Sequence, residues 1–529
     1  MDVVGGHSAC AGSLPRVPAK LEGKVATAPP RPSRVQPVAV SELASTVDAH
    51  LTAPDRAHVL VSGVTLRAQH VRSGDLFAAR PGARAHGADF AEQAVAQGAV
   101  AVLTDEAGAA RVRDARRDVP VLVHPEPREV LGVLAARVYG NPSARLAVFG
   151  ITGTSGKTTT SYLVEAVLKA AGRETGLIGT VETRIAGERL DSALTTPEAP
   201  DLHALLAVME ERGVTDVTME VSSHALRLGR VGGVGFAVGA FTNLSQDHLD
   251  FHPDMEDYFR TKALLFDGRA ATEVVCVDGE WGRRLVTPDT ITVATAAGDA
   301  TWTATDVRVS TTGEQAFTAR GPGLEIPVDL RLPGAFNVAN ALLAIACLHA
   351  RGIGADAIRR GLAQVRVPGR MQRVDEGQDF AAVVDYSHKP QAVALALDAV
   401  RARSTGRIIT VLGCGGDRDT AKRPLMGQEA ARRSDVLIVT DDNPRTEDPA
   451  AIRAAMLGGA LELPEAERGE VLEIGDRGRA IRHAVSLARA GDVVVVAGKG
   501  HETGQEVAGV VHPFSDVETL SAAIGEARR

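Results

Sequence analysis

The sequence predicts an α/β protein of several domains, and three observations lead to this prediction. The chain has 529 residues, and at roughly 150 residues per domain this length suggests three or four domains. At residues 146–168 a strand-like apolar run, a glycine-rich loop and an amphipathic helical stretch follow one another. In the last third of the chain, β-branched runs end repeatedly in glycine and polar residues, as parallel strands with a ligand at their carboxyl ends do.

The N-terminal part of the chain divides into two segments by composition. Residues 1–37 are rich in Pro, Gly, Ala and Ser, which predicts a flexible leader outside the fold. In residues 38–144, short apolar runs such as HVLVSGVTL alternate with helical stretches such as DFAEQAVAQGA. This alternation predicts a small N-terminal α/β domain.

Two larger domains follow. Residues 145–368 contain the glycine-rich loop and the strand-like runs VTDVTMEV, GFAVGAFTN and EVVCVD, which predict a central α/β domain. Within it, residues 301–332 alternate apolar and polar side chains, which predicts a β-meander. In residues 369–529, the runs FAAVVDY, RIITVLGCGG, SDVLIVTDDNPR and GDVVVVAGKGHE predict a doubly wound, Rossmann-like C-terminal domain.

Composition excludes several classes of protein. The net charge of -8 and the 3% of aromatic residues argue against a nucleic-acid partner. No apolar run approaches the roughly 20 residues that span a bilayer, and the N-terminus lacks the features of a secretion signal. We therefore predict a cytoplasmic protein without a membrane partner. The cysteines form no CxxC pair, so we predict reduced thiols at Cys10, Cys276, Cys347 and Cys414.

The loop GITGTSGKTTT has the composition of a phosphate-binding loop. Backbone N–H groups and a helix N-terminus in this context hold phosphate oxygens. We expect Lys157 to contact the β and γ phosphates of ATP and the Thr158 hydroxyl to reach Mg²⁺. The spacing departs from the usual GxxxxGK[ST] pattern. The predicted ATP contacts in this loop are Gly153, Thr154, Ser155, Gly156, Lys157, Thr158 and Thr159.

Further motifs follow the loop in a characteristic order. They are TTPE at 195–198, MEVSSHAL at 219–226, FTNLSQDHLDFH at 241–252, LPGAFNVANALLA, and DNPR at 442–445. From residue 38 to the C-terminus the chain thereby resembles the Mur ligases. The resemblance implies a UDP-substrate-binding N-terminal domain, an ATP-binding central domain and an amino-acid-binding C-terminal domain. It also implies that ATP converts a substrate carboxylate into an acyl phosphate, from which an amine displaces phosphate.

Within this family, DNPR implies a particular substrate. It is the amino-acid motif of the ligases that add meso-2,6-diaminopimelate to UDP-N-acetylmuramoyl-L-alanyl-D-glutamate during cytoplasmic synthesis of peptidoglycan precursors. The resemblance therefore implies a cell-wall enzyme with the cofactors ATP and Mg²⁺, small-molecule substrates and a monomeric state.

The family's catalytic and metal-binding positions carry over to this chain. The resemblance implies that Lys157, Lys262 and His248 are catalytic. It also implies Mg²⁺ binding by Thr158, Glu220, His248 and Lys262, the last as a carbamate. We expect Glu220 and His248 at strand ends. By pattern alone Lys262 would be a solvent-exposed helix lysine.

The substrate-binding positions carry over in the same way. For the muramoyl dipeptide they are Leu66, Thr195, Thr196, Ser222 and Arg230. For diaminopimelate they are Arg418, Asp442, Asn443, Pro444, Arg445, Gly498 and Glu502, and for ATP they include Asn337, Arg370 and Asp385. Departures from the family pattern occur at Leu228 and at Ser387, Lys389 and Gln391. They also occur at Arg67, Ala68 and Gln69, which puts the uridine contact in doubt.

Two alternatives remain at this point. A lysine-adding or folylpolyglutamate-type ligase of the same superfamily would share the phosphate loop. Against the lysine-adding enzyme, an arginine in the pocket would lack the distal carboxylate that diaminopimelate offers. A P-loop switch or transport ATPase would share the loop alone.

Overall fold

The computed structural model describes residues 30–82, 85–115, 118–190, 194–296, 298–310 and 313–528. Within these ranges no helix is long and apolar enough to cross a bilayer. The described residues form three main sheets, of five, eleven and six strands, which follow one another along the chain. This arrangement confirms the predicted α/β class.

The first sheet belongs to the N-terminal region. Its strands and their neighbours are β1 (Val38–Ala39), β2 (His50–Leu51), β3 (Leu60–Val61), β4 (Gly63–Thr65), β5 (Asp75–Ala78), β6 (Ala99–Thr104) and β7 (Val121–Val123). The helices are α1 (Val40–Thr46), α2 (Ala91–Ala96), α3 (Glu106–Ala115) and α4 (Pro127–Val138). The strand order is β2-β7-β6-β5-β4, and β4 to β7 run parallel. Apolar side chains of α1 and α4 cover one face of the sheet.

The second sheet forms the centre of the molecule. Its strands are β8 (Ala147–Thr152), β9 (Thr175–Ile178), β10 (Thr183–Ile185), β11 (Glu188–Leu190), β12 (Asp216–Glu220), β13 (Val238–Phe241), β14 (Glu273–Cys276), β15 (Ile291–Ala294), β16 (Trp302–Val309), β17 (Gln315–Gly321) and β18 (Leu324–Leu330). The helices are α5 (Lys157–Ala170), α6 (Ala199–Glu211), α7 (Ser223–Arg227), α8 (Met255–Ala263), α9 (Glu280–Arg283), α10 (Phe336–Ala350) and α11 (Ala355–Leu362). The predicted β-meander is confirmed, since β16, β17 and β18 pair antiparallel in succession.

Parallel pairing brings three functional segments of this sheet together. Strand β8 pairs with β12 on one side and with β13 on the other. Glu220 at the end of β12 lies opposite Ile151, and Phe241 at the end of β13 lies opposite Thr152. The loops that follow these strands therefore start beside the glycine-rich loop.

The third sheet belongs to the C-terminal region. Its strands and the adjoining hairpin are β19 (Gln372–Arg373), β20 (Ala381–Asp385), β21 (Ile408–Cys414), β22 (Val436–Asp441), β23 (Glu470–Glu473), β24 (Val493–Ala497), β25 (Gly504–Val507) and β26 (Val510–Pro513). The helices are α12 (Pro390–Arg401), α13 (Lys422–Arg433), α14 (Pro449–Leu461), α15 (Arg477–Leu487) and α16 (Asp516–Ala527). In the order β19-β20-β24-β21-β22-β23, strands β20 to β24 run parallel. Apolar side chains cover both faces.

Short 3-10 turns connect several of these elements. They cover Pro54–Arg56, Ala68–His70, Gly87–Phe90, Pro142–Ala144, Leu264–Phe266 and Glu465–Glu467. The described cysteines, Cys276, Cys347 and Cys414, are free, as predicted, and all three are buried. Cys10 lies outside the described residues.

The segment 30–37 requires a correction. We expected a flexible leader there, but the segment holds the N-terminal region against helix α6. The Arg31 guanidinium donates to Asp75 over 2.6 Å, and the backbone N–H groups of Ser33 and Arg34 donate to the Glu211 carboxylate. These contacts join residues that are far apart in the sequence, so composition alone cannot predict them. Residues 1–29 of the predicted leader lie outside the described residues.

Candidate active site between the central and C-terminal domains

The glycine-rich loop adopts a backbone that requires glycine. Gly153 has φ 140° and Gly156 has φ 89°. A Cβ on Gly153 would lie 1.9 Å from the Thr242 hydroxyl, and one on Gly156 would lie 2.3 Å from Asn340 Oδ1. Gly156 directly precedes α5, so the loop ends at a helix N-terminus, where N–H groups and the helix dipole favour anions.

Hydroxyl groups surround the carboxylate of Glu220 beside this loop. Glu220 Oε1 accepts from Thr158 Oγ1 over 2.9 Å and from the Thr180 N–H over 2.8 Å. Its other oxygen accepts from Thr180 Oγ1 over 3.1 Å, and this hydroxyl lies 3.0 Å from Thr195 Oγ1. The predicted metal ligands Thr158 and Glu220 are thus neighbours. A threonine hydroxyl and a carboxylate are the hard oxygen ligands that suit Mg²⁺.

Three lysine ammonium groups converge on the loop carbonyls. Lys157 Nζ donates to Gly153 O over 2.9 Å and to Thr154 O over 3.1 Å. Lys262 Nζ, on α8, donates to Gly153 O over 2.8 Å. Lys389 Nζ, from the C-terminal domain, donates to Thr154 O over 3.1 Å. Two backbone carbonyls therefore accept hydrogen bonds from three lysine side chains.

Burial and mutual repulsion change the ionisation of these lysines. Burial, with Lys389 nearby, lowers the pKa of Lys157 to about 8. Burial, with Lys157 and Lys389 nearby, lowers the pKa of Lys262 well below its usual value. Lys262 is 1% exposed, and its Nζ lies 4.7 Å from the centre of the Tyr258 ring. The pattern-based expectation of a solvent-exposed lysine is wrong, because α8 turns this side chain toward the phosphate loop.

His248 lies in a loop rather than at a strand end, which corrects our expectation. Strand β13 ends at Phe241, and His248 has a left-handed φ of 55° further along. Its Nε2 lies 3.1 Å from Asp247 Oδ2, and its ring meets the His224 ring edge-on at 4.9 Å. Burial lowers the pKa of His248 well below its usual value, so the imidazole is neutral, the form that binds metals.

The predicted metal ligands do not form a complete site by themselves. Among the described residues, no three His, Cys, Asp or Glu side chains are placed to hold a metal ion together. Mg²⁺ demands about six oxygen ligands and usually takes several from water and phosphate. The neighbouring Thr158 and Glu220 fit such a site, and the roles of His248 and Lys262 in it stay predictions.

Most residues predicted for the muramoyl dipeptide lie together beside Glu220. Thr196 Oγ1 donates to the Glu220 carbonyl over 2.8 Å and accepts from the Ser222 N–H over 3.2 Å. Arg230 lies 2.9 Å from Glu198 and donates to the Thr196 carbonyl over 3.3 Å. The remaining predicted contact, Leu66, follows β4 in the N-terminal domain and packs against the core of that domain.

Two further arginines face this group from the N-terminal domain. Burial, with Arg128 nearby, lowers the pKa of Arg80 to about 10. Arg128 Nη1 donates to the Leu228 carbonyl of the central domain over 3.5 Å. Together with Arg230, these arginines outnumber the Glu198 carboxylate, so positive charge exceeds negative charge where the two domains meet.

The predicted diaminopimelate residues surround the carboxyl ends of three neighbouring strands. Asn443 Nδ2 donates to Glu502 Oε2 over 2.8 Å. Lys499 Nζ donates to the same oxygen over 2.9 Å and to Asn443 Oδ1 over 3.0 Å. A Cβ on Gly498 would lie 2.6 Å from Asp442 Oδ2, so this strand end needs glycine.

Arg445 continues this pocket toward the β25–β26 hairpin. Its backbone N–H donates to the Glu506 carbonyl over 3.0 Å, and its Nε lies 3.5 Å from the Glu506 carboxylate. The preceding Pro444 is buried, and Arg445 has a left-handed φ of 53°. Arg418 follows strand β21. Partial burial, and then the nearby charge of Arg445, lower the pKa of Arg418. The predicted residues are therefore brought together.

The remaining predicted ATP contacts lie around the junction of the domains. Arg370 Nη2 donates to Thr158 Oγ1 over 3.1 Å, which ties the start of the C-terminal domain to the phosphate loop. The Asp385 carboxylate accepts from the Met371 N–H over 2.7 Å and from the Ser387 N–H over 2.9 Å. Asn337 Nδ2 donates to the Pro333 carbonyl over 2.6 Å. The adenine and ribose contacts stay predictions.

Several residues of the site were missed at the level of sequence. Thr180 lies two residues after strand β9. A hydroxyl side chain at the end of a parallel strand was the sequence signal that could have identified it. Lys389 stood out only as a departure from the family pattern. Asp247 and Lys499 lay inside quoted motifs, but their partners come from other segments. The full set is Arg80, Arg128, Thr180, Asp247, Lys389, Lys499 and Glu506.

The fold and the site define a three-domain P-loop protein whose C-terminal domain carries a second polar pocket. Family models match most of the described chain: "Mur ligase family, catalytic domain" at residues 60–139, "Mur ligase middle domain" at 151–348 and "Mur ligase, glutamate ligase domain" at 369–500. The chain belongs to the Mur ligase family. The predicted family, three-domain fold and ligase class are thereby confirmed.

Individual relatives agree with this assignment. The UDP-N-acetylmuramoyl-L-alanyl-D-glutamate–2,6-diaminopimelate ligase of Corynebacterium glutamicum is 55% identical, over 86% of this chain and 90% of that protein. The enzyme of the same name from Streptomyces coelicolor is 52% identical, over 94% of this chain and 98% of that protein. A solved structure of a ligase of this name has a TM-score of 0.65 and 30% identity, and covers 93% of this chain and 100% of that one.

Proposed function

We propose that this chain is an ATP-dependent ligase that adds meso-2,6-diaminopimelate to UDP-N-acetylmuramoyl-L-alanyl-D-glutamate in the cytoplasmic synthesis of peptidoglycan precursors. The observation that carries the proposal is the contact between the C-terminal domain and the phosphate loop. Arg370 and Lys389 of the C-terminal domain donate to Thr158 and Thr154 of the phosphate loop. An acyl phosphate made at the loop would thus form close to the domain that binds the amine.

The first chemical step suits the residues around the loop. A carboxylate oxygen of the dipeptide attacks the γ-phosphorus, and the bond to the β–γ bridging oxygen breaks with ADP as leaving group. Lys157 lies at the helix N-terminus, from which it would offset the charge that develops on the transferred group. Thr158 and Glu220 would hold Mg²⁺, which supplies further charge neutralisation at the phosphates.

The second step needs an amine rather than a protein nucleophile. The amino group of diaminopimelate attacks the acyl carbon, phosphate leaves, and the nitrogen loses a proton. A neutral imidazole close to the phosphate loop, such as that of His248, is the kind of group that accepts such a proton.

The buried amine of Lys262 suits carbamate formation. CO₂ reacts with a neutral amine, and burial shifts Lys262 toward that form. The product is an anion, and it would place a negative charge between the cations of Lys157 and Lys389. Carbamylation would therefore relieve the repulsion that the unmodified side chain experiences.

The C-terminal pocket suits a diamino acid with a distal carboxylate. Arg445 offers a planar fork of donors, and Glu502 with Asp442 offers acceptors for an ammonium group. Lysine lacks the carboxylate that the arginine would bind, so it would leave a desolvated cation without its partner.

An amino-acid exchange assay tests the proposal. Release of ADP and phosphate is expected only when UDP-N-acetylmuramoyl dipeptide and diaminopimelate are both present. Turnover with lysine in place of diaminopimelate would indicate the lysine-adding alternative. Release of phosphate with ATP alone would contradict the ligase reaction altogether.

A further inference from the structure

We infer that Lys389 is a further phosphate-binding residue, which the C-terminal domain supplies to the terminal phosphoryl group at the phosphate loop. This inference rests on the proposed ATP-dependent reaction but not on the identity of the amino acid. The side chain is also a departure from the family motif noted in the sequence.

The position of Lys389 explains how it reaches another domain. The residue lies at the end of the short loop after β20 and forms the N-cap of α12. It is 8% exposed, and its Nζ donates to the Thr154 carbonyl over 3.1 Å. Lys157 donates to the same carbonyl over 3.1 Å. Two ammonium groups from different domains therefore share one neutral acceptor in the loop.

Asp247 holds the ammonium group in this place. Its Oδ2 lies 2.7 Å from Lys389 Nζ, and the carboxylate is 6% exposed. This ion pair positions the Lys389 ammonium group toward the loop.

The local charge balance points to phosphate as a further anionic partner. Lys157 and Lys389 both donate to the Thr154 carbonyl, while Asp247 is the carboxylate in contact with Lys389. Buried charges need partners of opposite sign. Phosphate oxygens at the loop would provide them, and the loop backbone already has the geometry that accepts phosphate.

Lys389 would act electrostatically in the phosphoryl transfer. The substrate carboxylate forms a new bond to the γ-phosphorus, the bond to the bridging oxygen breaks, and its electron pair leaves with ADP. Lys389 exchanges no proton or covalent bond in this step. Because it belongs to the domain with the amino-acid pocket, it reaches the loop only when the two domains adjoin, which couples transfer to domain closure.

The test compares Lys389→Met with Lys389→Arg, Lys389→Thr and Asp247→Asn in the full-length protein. Loss of one preorganised cation is expected to lower kcat about 10²-fold in Lys389→Met and Lys389→Thr. The affinity for a non-hydrolysable ATP analogue should fall about tenfold, while the affinity for ADP changes less than twofold. Lys389→Arg should retain a higher kcat than Lys389→Met, and the kcat of Asp247→Asn should lie between those of these two variants.

Lys169→Ala provides the matched control, because this lysine is 43% exposed on α5 and pairs with Glu165. It should behave as wild type. If Lys389→Met lost equal affinity for ADP and for the ATP analogue, Lys389 would only hold the two domains together, and the inference would be overturned. A kcat of Lys389→Met within twofold of wild type would also overturn it. If wild type turns over with lysine instead of diaminopimelate, the proposed function fails, yet the Lys389 comparison is still decided with that amino acid.

Discussion

The phosphate loop and the diaminopimelate pocket both lie at the carboxyl ends of parallel strands, yet they balance charge differently. At the loop, three lysines donate mainly to backbone carbonyls. In the C-terminal pocket, Lys499 meets Glu502 over 2.9 Å. The loop thus carries surplus positive charge, and the pocket is internally paired.

This difference matches the ligands that the two sites are proposed to bind. ATP brings several negative charges and would neutralise an excess of positive charge at the loop. Diaminopimelate carries two ammonium and two carboxylate groups and has no net charge. A pocket that binds it needs paired donors and acceptors rather than a surplus of either sign.

The strongest test of the comparison removes a lysine from the loop. Lys262→Ala is expected to lower kcat about 10³-fold, because the carbamate that this side chain is proposed to carry would be lost. Added bicarbonate should not restore this variant. Lys262→Glu, which places a carboxylate near the carbamate position, should recover part of the activity. Wild-type turnover of Lys262→Ala in a phosphate-release assay would refute a role in the reaction.

The matching test in the pocket replaces Arg445. Arg445→Ala should raise the KM for diaminopimelate about 10²-fold, because a charged bidentate contact contributes about 2–3 kcal/mol. The KM for ATP should change little, since Arg445 and the phosphate loop belong to separate sites. Steady-state kinetics with each substrate varied in turn measure both values. A parallel rise in the two KM values would mean that the sites are not separate.

Much of this architecture could be predicted, because it depends on local patterns. The strand, glycine loop and helix at residues 146–168 lie close in sequence, so their order is readable from periodicity and glycine placement. The same holds for the meander at residues 301–332. DNPR and GKGHE follow β-branched runs, and parallel pairing brings such strand ends together.

Other features depend on contacts between distant segments and could not be predicted. Lys262 has the pattern of a surface residue, and only tertiary packing buries it beside Gly153. The pairing of Lys389 with Asp247 requires the relative placement of two domains. Arg31 reaches Asp75 across the N-terminal region for a similar reason. Secondary-structure propensity and residue composition carry no information about such long-range contacts.

A smaller effect is expected from the lysine that organises the pocket. Lys499 contacts Asn443 and Glu502 and is fully buried. Lys499→Met keeps the apolar stem but leaves two acceptors unpaired, so the KM for diaminopimelate should rise about tenfold. If only the charge of Lys499 matters, the KM of Lys499→Arg for diaminopimelate should lie between those of the wild type and Lys499→Met. An unchanged KM in Lys499→Met, at wild-type thermal stability, would show that the pocket does not depend on this pairing.

The smallest effect concerns pH, and it separates the two sites directly. The pKa of Lys157 is about 8 without ligand, so the ammonium form is lost as pH rises through that value. Nucleotide phosphates favour the charged form and raise this pKa on binding. The affinity for ADP should therefore fall several-fold between pH 7.5 and 9, at most about tenfold per pH unit. Calorimetry in two buffers of different ionisation enthalpy should show proton uptake near pH 8.5. As a control, diaminopimelate binding should show no proton uptake attributable to Lys157. An ADP affinity that stays constant between pH 7.5 and 9 would contradict a lowered lysine pKa at the loop.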